Sequence, residues 1–439
     1  MEPRHFDRLT RALSEASSRR GLVRLLSAVP VAGGLLAVLD PEEAEAKGRR
    51  KRRKKRHKHG KGRHKGKRKR SCKPEARTKT CTGRCGPVKN NCRKTVACEP
   101  CACTADADCT SVLAPDCVGN QCTCGGGAAC AGDPERCCAG VCVDLDNSHD
   151  HCGACGVACG PSQICVDGAC VACDVTCTGT PAECGTALQV AINAPGPAAT
   201  VYVCPGVYHG GFSISNSVTV IGAGQGDDVA ANTILHGGAA VRVLYAQDAF
   251  QTIHMQRLRF TAGLVTTDPL GGAGIVNAAR LLVLTDCTIS DNHTNVSSTQ
   301  RVHGGIFTGG FSKLEMTGCT ISDNSVTNGD ANGEALGAGI SNSSTGLIMT
   351  NCVIRDNTAT GVRNSGAGLH HANLFAQLTN CRITGNTLTM PNSAAGGGIT
   401  EVSRFGGSVT LTDSFVWNNT APDCVGNVIG PGCGTAPPA

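Results

Sequence analysis

Between residues 253 and 419 the apolar side chains follow a short pattern that repeats. Leu282 and Leu284 alternate with polar neighbours, Cys287 and Ile289 follow a two-residue break, and Asn292 closes the unit. The same template returns as Leu314, Met316, Cys319, Ile321 and Asn324, and again as Leu347, Met349, Cys352, Ile354 and Asn357. Ala376, Leu378, Cys381, Ile383 and Asn386 form a fourth copy, and Val409, Leu411, Ser414, Val416 and Asn419 a fifth. A degenerate earlier copy runs Ile253, Met255, Leu258, Phe260 and Gly263. Successive asparagines lie 32, 33, 29 and 33 residues apart. Alternation over so few residues marks β-strands, and a period of this size marks a solenoid. The pattern predicts an all-β stack of coils whose Ile, Leu and Cys point inward, each on its counterpart at the ~4.8 Å inter-strand spacing.

The corners carry their own signal. Between the two short strands stand Asp286, Gly318, Asn351, Asn380 or Asp413, and before each asparagine stand Asp291, Asp323, Asp356, Gly385 or Asn418. Asp, Asn and Gly tolerate the left-handed conformation, so a bend is expected at the same two points of every coil. Each unit also carries a Gly-rich entry, Gly274-Ile275, Gly305-Ile306, Gly339-Ile340, Gly368-Leu369 or Gly398-Ile399. What varies is the segment after the asparagine, 293–304, 325–338, 358–367 and 387–397, rich in Ser, Thr, Asn and Gly. Loops from equivalent corners emerge on one side of a solenoid, often its binding face. Their charged tips, Arg301, His303, Asp330, Glu334 and Arg363, are the candidate binding residues, with a polysaccharide as the candidate partner.

These repeats resemble the right-handed parallel β-helix of the pectin-lyase-like superfamily, and they are similar to repeats of polymorphic outer-membrane proteins and bacterial adhesins. Residues 187–194 suit a capping helix, and 201–208 and 218–224 resemble the opening coils of that superfamily. The resemblance places the β-helix at 181–423, followed by a tail at 424–439. Cys184 with Cys204, and Cys424 with Cys433, are candidate staples for its two ends. The resemblance implies a fold that hosts polysaccharide lyases, glycoside hydrolases and non-catalytic binders alike, so activity has to be argued from a site.

Thirty cysteines and 57 glycines against 3% aromatic and 17% charged residues exclude a coiled coil and argue against a helical enzyme. Twenty-two of the cysteines fall between 72 and 177, in a segment with few large apolar residues. Such a module, 71–180, must be stapled by disulfides, which implies an oxidising compartment. Connectivity is not readable from spacing. Cys137, Cys138, Cys142, Cys152, Cys155, Cys159, Cys165 and Cys170 form a pattern similar to the Cys-rich repeat of the stigma-specific protein family. That resemblance implies an extracellular disulfide module; the alternative is a zinc pair, because Cys152 and Cys155 have ligand spacing.

The net charge of +7 averages unlike pieces. Residues 47–70 hold 17 Lys/Arg and no acid, while 101–439 hold 11 Lys/Arg against 25 Asp/Glu, a net of −14. Before the basic run come Arg19 and Arg20, an apolar stretch at 25–39, and Ala44 and Ala46. This tripartite form reads as an export signal at 1–46, cleaved after Ala46, and its paired arginines resemble the twin-arginine signal. The apolar stretch is short for a membrane span, so no transmembrane span is expected after cleavage. The arm 47–70 has nothing apolar to bury and is expected to be disordered. Its expected partner is an anionic cell-envelope polymer or lipid surface, the alternative being a plain spacer. It lacks aromatics for base stacking, and nucleic acid is not expected.

No cofactor or metal ligand set stands out. The Asp291, Asp323 and Asp356 column could suit calcium, but Gly385 and Asn418 fill the same position, so backbone geometry explains it better. Cys287, Cys319, Cys352 and Cys381 read as a column of buried thiols, with Ser414 in the fifth copy. His236-Gly237-Gly238 and His303-Gly304-Gly305 lack the paired aspartates of polygalacturonases, and a single Trp417 offers little platform for sugar rings. The reading is a secreted, surface-associated β-helix protein that binds an extended polymer without catalysis. The alternative is a polysaccharide lyase or glycoside hydrolase on the same fold.

Overall fold

Three long parallel sheets, each taking one strand from every coil, build the structure, a computed structural model. It describes residues 121–126, 128–130, 134–194, 199–389, 395–402 and 406–437, together with the backbone of strands Pro87–Lys89, Thr95–Ala97 and Asp116–Val118. These residues belong to one unit, Lys73–Ala439. The expected signal 1–46, with Arg19, Arg20, Ala44 and Ala46, and the arm 47–70 lie outside the described residues.

Sheet A has nine strands, from Ala199–Tyr202 to Val428–Ile429, and includes Leu281–Thr285 and Lys313–Thr317. Sheets B and C have eight each; Thr288–Ser290 and Thr320–Ser322 belong to B, Ile306–Gly309 and Ile340–Ser343 to C. The repeat template stacks residue on residue: Leu282 on Leu314 on Leu347, and Ile289 on Ile321 on Ile354. These side chains are at most 1% exposed and form one continuous core. Burying each contributes roughly 1.5–3 kcal/mol, so the column of coils is its own hydrophobic core. The sheets run past 423, with Cys424–Val425 pairing with sheet C and Val428–Ile429 with sheet A.

The corners bend as the sequence requires. Asp286, Asn351, Asn380 and Asp413 have φ of 48–55°, and Asp291, Asp323, Asp356 and Asn418 of 54–58°, with Gly318 and Gly385 in the same region. At the second corner the buried asparagines form a ladder. The Nδ2 of Asn292 donates to Oδ1 of Asn324 at 2.9 Å, and the pattern continues through Asn357 and Asn386 to Asn419 at 2.8–3.0 Å. Each of these Oδ1 atoms also accepts the backbone N–H of the asparagine before it. The ladder ends on Asp423, whose Oδ1 takes both the N–H and the Nδ2 of Asn419.

A helix, Pro181–Asn193, closes the first coil with Cys184, Leu188 and Ile192 buried against it. It begins six residues before the expected start at 187, because Thr180 and Glu183 cap its first turn reciprocally and Pro181 follows the cap. Gly185 is required there: a Cβ would sit 1.8 Å from the carbonyl oxygen of His209.

The variable segments are not free loops. His293–Val296, Ser325–Asn328, Thr358–Thr360 and Thr387–Thr389 join Leu264–Val265 in a five-stranded sheet, and Arg301–His303, Glu334–Leu336 and Arg363–Ser365 form a three-stranded one. Val296, Val302, Val326, Ala335, Ala359 and Leu388 give this side lobe its own small core.

Before the helix lies the disulfide module. Cys124–Cys137 and Cys130–Cys142 are repeated one unit later as Cys152–Cys165 and Cys159–Cys170. In both units the last two cysteines face each other on a hairpin, Cys137 with Cys142 and Cys165 with Cys170. Cys138–Cys155 joins the units. Cys173–Cys204 ties the module to the first coil, and Cys184 pairs with Cys177, which corrects the expected Cys184–Cys204 staple. Cys424–Cys433 closes the far end.

Candidate functional site

On the outer face of sheet B the strands hold a polar trough of about 490 Å³. Side chains alternate along each strand, so Ile289 and Ile321 face the core while Thr288, Ser290, Thr320 and Ser322 face out. In-register stacking makes two rows of hydroxyls along the solenoid axis, Thr288 on Thr320 and Ser290 on Ser322. Two arginines stand in the same rows: Arg259 one coil before Thr288, and Arg355 one coil after Ser322. Arg259 pairs with Asp227 and with the corner residue Asp291 at 3.2 Å. Arg355 pairs with Asp356 at 2.7 Å and lies 3.8 Å from Asp323. Gln225 closes one end, its Oε1 accepting the Thr288 hydroxyl at 3.2 Å. The Ser290 hydroxyl lines the trough at 2% exposure and has no partner in the protein.

Each carboxylate of the trough is thus matched by a guanidinium on the same face. The Asp291, Asp323 and Asp356 column serves the bend and these ion pairs, and Gly385 and Asn418 make the same bend without a carboxylate. Sequence reasoning missed Arg259, Arg355, Asp227 and Gln225. Once the copies are aligned, the signal for the two arginines is their outward strand position next to a corner aspartate.

The loop-tip candidates are placed by the side lobe, away from this trough. Arg301, Glu334 and Arg363 stand side by side on its three-stranded sheet, and the Arg301 Nε donates to Glu334 Oε2 at 2.7 Å. Asp330 caps its own turn, its Oδ1 accepting the Asn332 N–H. His303 is not an exposed tip: it is 6% exposed, stacked on Phe307, with its Nδ1 2.7 Å from the Ser341 hydroxyl. His370 is buried beside it with its Nδ1 3.1 Å from Ser365 Oγ. Burial, reinforced by neighbouring positive charge, pushes both imidazoles down to about 3. His371 points to the other face of its strand, where its Nδ1 meets Asn342, and burial lowers it too. These residues latch the side lobe to sheet C.

The four thiols Cys287, Cys319, Cys352 and Cys381 are free and at most 1% exposed. Cys152 and Cys155 are both in disulfides, which overturns the zinc alternative for that pair. The eight disulfides among the described residues fit a protein that matures in an oxidising compartment, and among the same residues no helix is long and apolar enough to cross a membrane.

Comparison with curated proteins and with solved structures gave no match. Residues 218–420 match the family model described as right handed beta helix region, over the same coils whose strands, corners and asparagine ladder are set out above. Over that segment the three parallel sheets form a right-handed β-helix, the fold that the family model describes.

Proposed function

We propose that this is an exported, surface-associated β-helix protein that binds an extended polymer along the sheet B trough, without catalysis. The observation that carries the reading is the row of outward hydroxyls at strand spacing, with the buried Ser290 hydroxyl left unpartnered in the trough. A buried hydroxyl without a partner costs about 1–3 kcal/mol, and a ligand hydroxyl supplies the missing bond. Two arginines against three aspartates leave the trough near neutral, so recognition rests on hydrogen bonds repeated from coil to coil. The carboxylates are held by Arg259 and Arg355, which supports binding over acid–base chemistry. Export through the 1–46 segment and electrostatic attachment through the 47–70 arm complete the proposal, the acidic remainder being left free to meet the polymer.

The test is retention of the purified protein on a panel of acidic and neutral polysaccharides, scoring chain length of the glycan as well. Thr320→Trp, which fills the trough from an outward position, should abolish the trough's share of retention. Retention unchanged by Thr320→Trp sinks the trough, and shortening of a glycan sinks the non-catalytic reading.

A further inference from the structure

The corner between sheets C and A shares no strand with sheet B, and it carries the exposed aromatics of the molecule. Phe250 is 84% exposed, Phe311 89% and Phe375 38%, and they are the exposed large aromatic side chains among the described residues. Backbone bonds from Leu281 to Gln251 and from Lys313 to Arg280 set Gln251, Arg280 and Ser312 at equivalent corner positions. Phe250 and Phe311 therefore occupy the same position two coils apart, about 10 Å along the axis. In the coil between them that position is Ala279, fully buried, followed by the exposed Arg280. Phe375, two coils beyond Phe311, is outside this column: it opens its sheet A strand in line with Gly346 and Lys313, two positions after the Phe311 position. Its ring lies over Gly346, where a Cβ would come within 2.6 Å of Phe375 Cζ.

The backbone that carries Phe250 and Phe311 is held by hydrogen bonds. Phe250 sits in a turn whose N–H is accepted by Asp248 Oδ1 at 3.0 Å, and the next residue, Gln251, is fixed to Ser217 and Asp248. The Phe311 carbonyl accepts the Thr345 hydroxyl at 3.4 Å.

We infer that this edge is a second binding surface, for a neutral β-linked glycan chain lying parallel to the solenoid axis, its sugar rings stacked on Phe250 and Phe311. Three observations select that occupant. Phe250 and Phe311 recur two coils apart, and an extended β-1,4-linked glycan turns the same ring face outward at every second sugar. Along the same edge stand hydrogen-bonding side chains, Gln251, Arg280, Thr345 and Asn373, rather than the continuous apolar patch of a protein interface. The coils themselves belong to an acidic stretch, −14 over 101–439, so this edge, unlike the 47–70 arm, does not draw anionic lipid, and a neutral polymer is unaffected. The inference is independent of the trough, since the two surfaces lie on different sides of the coil and either can fail alone.

The test uses the full chain on insoluble cellulose, xylan and mannan. The protein should be retained on at least one of them, and Phe250→Ala with Phe311→Ala should weaken retention by about tenfold or more, the scale of losing two stacking contacts. Thermal melting of the double variant should match the parent, and Phe311→Trp should keep or strengthen retention. A parent that washes off all three glycans overturns the inference, as does a double variant that binds like the parent. It is equally overturned if the double substitution removes instead binding to anionic phospholipid vesicles or self-association in sedimentation.

Discussion

Cys381 and Ser414 occupy the same position on adjacent coils, and each caps the carbonyl two residues before it: Cys381 Sγ bonds Thr379 O at 3.3 Å, and Ser414 Oγ bonds Thr412 O at 2.9 Å. Ser414 Oγ also accepts the Cys381 N–H at 2.9 Å. The cysteine column is therefore more than apolar filling. At the corner between sheets A and B the Thr379 carbonyl accepts the Asn351 N–H of the preceding coil at 3.0 Å, and the small side chain adds a second donor to it. Cys287, Cys319 and Cys352 make the same bond at 3.3–3.4 Å.

Cys381→Ser should consequently be tolerated, with a change in unfolding free energy of less than about 1 kcal/mol. Cys381→Ala removes one of the two donors to the Thr379 carbonyl, which keeps the Asn351 N–H, and should cost about 0.5–1.5 kcal/mol. Urea unfolding of both variants checks the difference; equal costs would reduce the column to packing.

The same column predicts chemical inertness. Burial raises the Cys319 thiol well above its usual range, hydrogen bonding between Cys352 and Cys319 is the main cause lifting Cys352 to about 12, and the bond to Cys352 raises Cys381 likewise. Alkylation of the native protein at pH 8 should leave all four thiols unmodified, and denaturant should expose four per chain among the described residues. Rapid native labelling would contradict the inward orientation.

Asn357 sits in mid-ladder, accepting from the Asn324 amide and side chain and donating to Asn386, Ile321 and Arg355. Asn357→Ala leaves several of these buried groups unpaired at once. It should cost at least about 3 kcal/mol, against under half of that for Asn419→Ala at the partly exposed end. Unfolding midpoints of the two variants supply the comparison.

How far the sequence reached depends on which physics wrote it. Strands and bends of the main coils were legible because their inward positions must be apolar and their corners must be Asp, Asn or Gly. The side lobe was not: its strands bury one small residue each, such as Ala335 or Ala359, within Ser/Thr/Asn-rich sequence that reads as loop. The doubled cysteine unit was hidden for another reason. The two units place their cysteines at slightly different intervals, and only pairing shows that Cys124 corresponds to Cys152. The helix start was readable from Thr180, Pro181 and Glu183, whose capping pattern lay at the edge of the cysteine module. Both candidate surfaces escaped because they depend on register across coils, which brings Arg355 to Ser322 and Phe311 into line with Phe250.

Arg257 docks the module on the solenoid. It is 7% exposed, and its Nη1 donates to Asn147 Oδ1 at 3.0 Å and to the Cys165 carbonyl. Burial lowers its guanidinium, offset by Asp144, Asp286 and Asp167 nearby. Arg257→Ala should loosen the module by about 1.5–3 kcal/mol, the scale of hydrogen bonds from a charged donor, while Cys173–Cys204 keeps it tethered. Hydrogen exchange should quicken at 144–168 and stay unchanged at 281–420. Uniform change across both segments would refute a docking role.

The buried histidines make acid the weak point of the side lobe. His303 belongs to the lobe and reaches Ser341 of sheet C, while His370 of sheet C reaches Ser365 of the lobe. Both titrate near 3 in the native protein because burial excludes the imidazolium and Arg301 adds positive charge, with His370 facing His303 and His371 behind His370. Unfolded, each returns to about 6.5. Above that value neither state binds the proton, and the full stability is present. Between about 6.5 and 3 the unfolded chain binds protons that the native one refuses, so stability falls as pH falls, by up to about 1.4 kcal/mol per pH unit for each histidine. Urea midpoints should therefore drop steeply from pH 7 to pH 4.5, and hydrogen exchange at 293–304 and 358–371 should quicken before that of sheet B. In the double variant His303→Gln, His370→Gln the slope should flatten over this window, leaving the contributions of His371 and His236, which burial also lowers, and of the carboxylates. An equal slope in parent and variant would assign the acid sensitivity to groups other than this latch.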